Sequence, residues 1–185
     1  MKKIAIMLAN GVEDTEFITV HDILTRAKYN IKTFSIENSK EIKTRNNIKL
    51  QADSLYNSIN LNEFDLLFIP GGPAINRIEY VEQEKYKKIL DFIILSFRDK
   101  YIAAICAAPI LIANRHILDN TRFTLHPSME EKIQPIIKRN LVKESIVLDK
   151  KIITGKNMIS SLEFSKKIIE TLDGNKKAEQ VFKEI

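Results

Sequence analysis

At 185 residues, with 44% hydrophobic and 29% charged side chains, the chain has the size and composition of one globular domain with ample apolar material for a core. No stretch approaches the ~20 apolar residues of a membrane span. The net charge of +5 comes from 29 basic residues interleaved with 24 acidic ones, with no basic run carrying stacking aromatics. That pattern reads as a lysine-rich solvated surface and argues against a dedicated nucleic-acid site.

The chain opens on Lys3 to Leu8, a short buried strand closed by the turn pair Asn10-Gly11. This run is too short for a signal-peptide core, so a cytoplasmic location is expected. Glu13 to Ala27 has helical spacing: Phe17, Val20, Ile23, Leu24 and Ala27 share a face. Glu13, Asp14 and Glu16 stand in its first turn, where carboxylates favour the helix dipole. Ile31 to Ile36 is a second strand. Ile42 to Leu50, with Asn46-Asn47 inside it, reads either as a small hairpin or as an irregular strand.

Phe64 to Ile69 is the next apolar run, stopped by the tight loop Pro70-Gly71-Gly72-Pro73. Glu82 to Phe97 is a helix with Ile89, Leu90, Ile93 and Phe97 inward. Tyr101 to Ile105 is a buried strand that meets Cys106 and then the helical Ala107 to Ala113. Arg122 to Leu125 reads as a strand ending at His126-Pro127. Ile146 to Leu148 and Ile152 to Thr154 flank a hairpin turn, and Ser160 to Leu172 is a closing helix ended by Asp173-Gly174. The tail to Ile185 is amphipathic, with the pattern of a short helix.

No repeat, linker or boundary interrupts this series, so a single domain over residues 1–185 is expected. Strands alternating with helices imply a doubly wound, mostly parallel sheet sandwiched by helices, with ligands beyond the carboxyl ends of the strands. Three carboxyl-end loops can converge there: the one leading to Glu16, the one at Gly71-Gly72, and the turn at Cys106.

One cysteine excludes an internal disulfide, and three histidines (His21, His116, His126) suggest no metal site. The lone cysteine is either a small buried apolar residue or a nucleophile. Its local context leaves both open: the alanines beside it fit a packed core cysteine, and they equally fit an exposed thiol on a tight turn. An apolar strand runs directly into Cys106, Ala107 and Ala108 are small enough for a sharp turn, and Pro109 can open a helix. Helix N–H groups near the sulfur would favour the thiolate. With a carboxyl beside it, the proton of the pair is expected on Glu16 and the charge on sulfur.

The segments Ala9-Asn10-Gly11-Val12-Glu13-Asp14-Thr15-Glu16, Ile69-Pro70-Gly71-Gly72-Pro73, Ala104-Ile105-Cys106-Ala107-Ala108-Pro109 and Leu125-His126-Pro127 resemble the DJ-1/ThiJ/PfpI superfamily, closest to its DJ-1 branch. They occur in that family's order and spacing. The resemblance implies a flavodoxin-like, class I glutamine amidotransferase-like fold and a homodimer that uses no cofactor. On it, Cys106 is the nucleophile, Glu16 the acid that hydrogen-bonds the sulfur, and His126 the nearby histidine. Gly72 and Ala107 supply backbone N–H groups, and Gly71, Pro127, Arg26 and Arg45 lie at the pocket or dimer interface. The function implied is a cysteine-dependent glyoxalase III or deglycase-like enzyme converting small α-oxoaldehydes, methylglyoxal to lactate. The alternative is an oxidation-sensing, stress-protective redox chaperone without turnover. Where the family carries Gly-Pro-Gly after the last strand, this chain has Asn157-Met158-Ile159, and Ala108 stands where the family often has glycine.

Overall fold

Short continuous apolar runs build the sheet. The computed structural model describes residues 1–185. Its elements run β1 (Lys3–Leu8), α1 (Asp14–Arg26), β2 (Asn30–Ser35), β3 (Glu41–Lys43), β4 (Lys49–Gln51), β5 (Ser54–Leu55), β6 (Leu66–Ile69), α2 (Pro73–Asn76), α3 (Gln83–Leu95), β7 (Tyr101–Ile105), α4 (Pro109–Ala113), α5 (Pro135–Lys138), β8 (Ile146–Asp149), β9 (Ile152–Gly155), α6 (Ser161–Asp173) and α7 (Asn175–Phe182). One sheet takes the order β5-β2-β1-β6-β7-β9-β8, and every pairing is parallel except β8 with β9. This is the expected flavodoxin-like α/β sandwich.

Successive strand residues serve opposite layers. From β1, Ala5 and Met7 face the layer holding α3 and α4, while Ile4, Ile6 and Leu8 face α1 and α6. β7 divides the same way, with Ile102 and Ala104 on one side and Ala103 and Ile105 on the other. Strands buried on both faces are apolar throughout, as these are. Each fully buried aliphatic side chain contributes about 1.5–3 kcal/mol through burial.

Chain order reverses beside β1. From β1 the chain moves outward through β2 and β5, then returns to β6 on the other side and proceeds to β7 and β9. The loops after β1 and β6 therefore diverge at a topological switch point, and β7 ends one strand away.

Of the two readings open for Ile42–Leu50, the structure takes the hairpin, β3–β4, with Asn47 in the left-handed region at φ 63°. The sequence reading differs from the structure at three places. Ser54–Leu55 adds an unforeseen edge strand of two residues, too short for periodicity to show. The chain after Pro70-Gly71-Gly72 turns straight into α2 and then a π-helical turn over Arg77–Val81. Arg122–Leu125 does not join the sheet. Its partners are side chains and a neighbouring loop: Thr124 N–H donates to Thr154 Oγ1 (2.9 Å), Phe123 N–H to Asn140 O and Val142 N–H to Phe123 O, leaving one isolated bridge to Leu141.

Candidate active site

Strand β7 delivers Cys106 to a sharp turn. Its φ of 62° is left-handed, one of five such non-glycine positions in the chain. A cysteine held there carries backbone strain of about 1–2 kcal/mol. The turn is over-determined: Cys106 N–H donates to Gly155 O (2.8 Å), His126 N–H donates to Cys106 O (2.8 Å), and Ala108 N–H donates to Ile105 O (3.0 Å). The small Ala107 and the start of α4 at Pro109 follow at once, and the thiol is left half-buried.

Glu16 arrives from the first turn of α1 and is completely buried. Its Oε2 accepts the Gly71 N–H (2.7 Å). Its Oε1 has no partner of good geometry, and the carboxyl faces the Cys106 thiol. The packing explains Gly71. A Cβ there would lie 2.8 Å from both Cys106 Cβ and Glu16 Oε2 and 2.9 Å from Ile105 O. Three carboxyl-end loops thus meet at one point.

Burial is the first influence on this pair. It raises the Glu16 pKa to about 7, with the Cys106 and Gly71 hydrogen bonds opposing it. Burial, then the Glu16 charge, pushes the thiol well above its ordinary range. The N–H groups of Ala107 and Gly72 approach the sulfur and pull the other way, without overcoming burial. Burial thus acts on both members of the pair in the same direction, beside the N–H groups that favour a charged sulfur. The helix behind Cys106 has only five residues, so its dipole is a weak counterweight. The group poised to ionise near neutrality is Glu16.

A cleft of about 240 Å³ opens over the thiol, walled by Glu13, Arg45, Gly72, Ala107, His126 and Met129. Arg45 is exposed and pairs with the buried Glu13 (2.8 Å) across the rim. Arg45→Ala removes the cation that favours ionised Glu16. The expected result is an upward move of the midpoint in the pH dependence of Cys106 chemistry, with less than tenfold change in rate, since Arg45 is exposed and screened. An unchanged midpoint at low salt would place Arg45 outside the site's electrostatics.

His126 lines the same cleft but is committed to capping. Ser128 N–H donates to its Nδ1 (3.2 Å), and Ser128 Oγ lies 2.8 Å away, so Nδ1 carries the lone pair and Nε2 the proton. Pro127 starts the 3₁₀ turn that follows, exposed. Arg26 stands at the far end of α1, exposed and paired with Asp22 (2.9 Å), and does not line the cleft. No three His, Cys, Asp or Glu side chains converge as a metal site.

Sequence reasoning missed the tether of the β3–β4 hairpin. Asp14, buried at the start of α1, accepts from Thr44 Oγ1, from Asn46 N–H (3.2 Å) and from Asn46 Nδ2 (2.9 Å). In the sequence Asp14 shows only as a dipole partner, and nothing local joins it to a segment thirty residues on.

Residues 2–171 match the DJ-1/PfpI family. The chain belongs to the DJ-1/PfpI family. It is 30% identical to Protein DJ-1 homolog B of Arabidopsis thaliana over 98% of its length, covering 40% of that relative. The chain spans less than half the length of the two Arabidopsis relatives it matches. It is 26% identical over 92% of its length to a Caenorhabditis elegans protein named glutathione-independent glyoxalase DJR-1.2, covering 88% of it. The crystal structure of Drosophila melanogaster DJ-1beta superposes with a TM-score of 0.82 at 27% identity, covering 99% of this chain and 96% of that one. At the departure from the DJ-1 pattern, Asn157 and Ser160 form a reciprocal cap on a 3₁₀ turn, leaving Met158 and Ile159 exposed.

Proposed function

We propose that this chain is a cofactor-independent, cysteine-dependent enzyme acting on small α-oxoaldehydes, converting methylglyoxal to lactate. The observation that carries the reading is the buried Glu16 carboxyl, with a pKa of about 7, facing the Cys106 thiol under a cleft of about 240 Å³, ample for a small α-oxoaldehyde. A base works best when its pKa lies near the working pH. The similarity to a relative named as a glutathione-independent glyoxalase supports the same choice.

Cys106 Sγ bonds to the aldehyde carbon, its proton passes to Glu16 carboxylate, and the carbonyl oxygen takes that proton to give a hemithioacetal. Glu16 then removes the hydrogen from the sulfur-bearing carbon, and a proton is delivered to the adjacent carbon. The first carbon is oxidised and the second reduced, leaving a lactoyl thioester. Water cleaves the thioester to lactate and free thiol. The N–H groups of Gly72 and Ala107 stabilise negative charge beside the sulfur. His126 Nε2–H offers a donor at the rim. Deglycation of modified amines or thiols would use the same steps.

The test is lactate formation from methylglyoxal by purified protein. Wild type is expected to form lactate and Cys106→Ala to form none above background; equal rates would end the enzyme reading. A second reading is an oxidation sensor. It is favoured by the half-buried single thiol, whose sulfinate would meet the Gly72 and Ala107 N–H groups and a protonated Glu16. Stoichiometric sulfinate with no lactate selects it.

A homodimer fits the surface. Phe17 turns into the core while Ile18 is 45% exposed, α1 packs on α6, and Met158, Ile159 and Leu162 are exposed just before and at the start of α6. Light scattering at micromolar concentration is expected to give twice the chain mass, and Ile159→Lys to lower it; a wild-type monomer would refute the dimer. A cytoplasmic location, where a lone thiol stays reduced, suits both readings.

A further inference from the structure

Glu37 is a buried carboxylate that none of this chemistry uses. It leaves the carboxyl end of β2 and is 7% exposed. Its Oε1 accepts Asn10 N–H (2.9 Å) and the Arg77 guanidinium, and its Oε2 accepts the Tyr86 hydroxyl. Arg77 also donates to Tyr86 Oη (2.9 Å) and to Glu82 (3.2 Å). Burial works to raise the Glu37 pKa, and the Tyr86, Asn10 and Arg77 contacts more than reverse it, so the group stays charged. A buried ion pair is a weak source of net stability, since desolvation offsets most of the attraction. What this one supplies is direction.

The groups it joins bracket the site. Asn10 opens the loop that runs to Glu13 and Glu16, and Arg77 begins the π-helical turn behind α2. Between them, Glu13 N–H donates to Gly71 O (3.1 Å) and Ala74 N–H donates to Gly11 O (3.1 Å). Gly72 is pressed so close that a Cβ would stand 2.5 Å from Glu13 N and 2.6 Å from Gly11 O. Gly72 lines the cleft together with Cys106, and its N–H favours charge on the sulfur. A shift of the Asn10–Glu13 loop relative to the π-helical turn therefore moves that donor.

We propose that Glu37 is a positioning residue for the Cys106 site, its carboxylate locking the Asn10–Glu13 loop to Arg77 and so fixing the Gly72 N–H on the sulfur. The inference rests on the Cys106 chemistry proposed above, and its test needs no turnover. Glu37→Gln turns one acceptor into a donor facing Arg77 or Tyr86; Tyr86→Phe deletes one contact without reversing another. Iodoacetamide alkylation of Cys106 is followed against pH for both, alongside thermal melting and lactate formation. Both variants are expected to alkylate more slowly at pH 8, with the pH midpoint moved upward, Glu37→Gln by about tenfold in rate and Tyr86→Phe by less. Should Glu37→Gln fail to fold, Tyr86→Phe decides. Alkylation profiles that overlay wild type, with only melting lowered, would reduce Glu37 to a structural ion pair and overturn the proposal. Absence of lactate from wild type itself would refute the aldehyde reaction while leaving the alkylation result to judge Glu37.

Discussion

Glu16→Gln is expected to speed alkylation of Cys106 at pH 8 while cutting aldehyde turnover by about 10²–10⁴-fold. The opposite signs follow from the two jobs of one carboxyl. Above about pH 7 wild-type Glu16 is ionised, and its charge is the second cause, after burial, of the raised thiol pKa. A neutral amide removes that repulsion, so more sulfur is thiolate and an unassisted electrophile reacts faster. The amide cannot take or return a proton, so the proton-transfer steps lose their carrier. Stability moves too. The folded protein holds a Glu16 proton that the unfolded chain has released between pH 4.5 and about 7. Stability is therefore lost as pH rises through that window, on the order of 3 kcal/mol. Glu16→Gln is expected to melt near wild type at pH 5 and above it at pH 8. Slower alkylation with unchanged turnover would remove Glu16 from the chemistry.

Gly72→Ala carries the largest expected loss of stability. Gly72 has φ 101° and ψ 179°, a region open essentially to glycine alone. Its added Cβ would also meet backbone atoms at 2.5 and 2.6 Å, which no side-chain rotation relieves. About 3 kcal/mol or more of destabilisation is expected, a fall of roughly 10 °C in Tm for a chain of this size. Turnover should fall with it, because the N–H beside the sulfur moves. Gly174 provides the comparison: φ is 88° and ψ 165°, and nothing lies within 4 Å of its added Cβ. Gly174→Ala is expected to cost about 1–2 kcal/mol, from conformation alone, with Cys106 chemistry intact. Equal losses for the two variants in thermal melting would mean that contact with the Asn10–Glu13 loop contributes nothing.

The sheet was legible because its central strands are buried on both faces and read as apolar runs, as at Leu66–Ile69 and Tyr101–Ile105. The short edge strand at Ser54–Leu55 carries no such run. Arg122–Leu125 carries a strand-like pattern whose backbone found other partners. At the site, the strand running into Cys106 with small residues after it marked the turn, and the Gly71-Gly72 pair marked the close approach. The burial of the pair was not legible. Sequence context displays the N–H groups that favour a thiolate, but the burial that raises both pKa values arises from Glu16 and Cys106 packing together across ninety residues of chain. Neither His126 as a cap on Ser128 nor the Asp14 tether to the hairpin shows in local sequence, because each depends on where a second segment lands.

The pH dependence of methylglyoxal conversion by the purified protein tests the Glu16–Cys106 chemistry most directly. Lactate formation should rise through a midpoint near 7, where Glu16 becomes the base, and be absent at every pH in Cys106→Ala. A rate that climbs only in the range of an ordinary or raised thiol would deny Glu16 that role. No lactate above the Cys106→Ala background at any pH would contradict the enzyme itself.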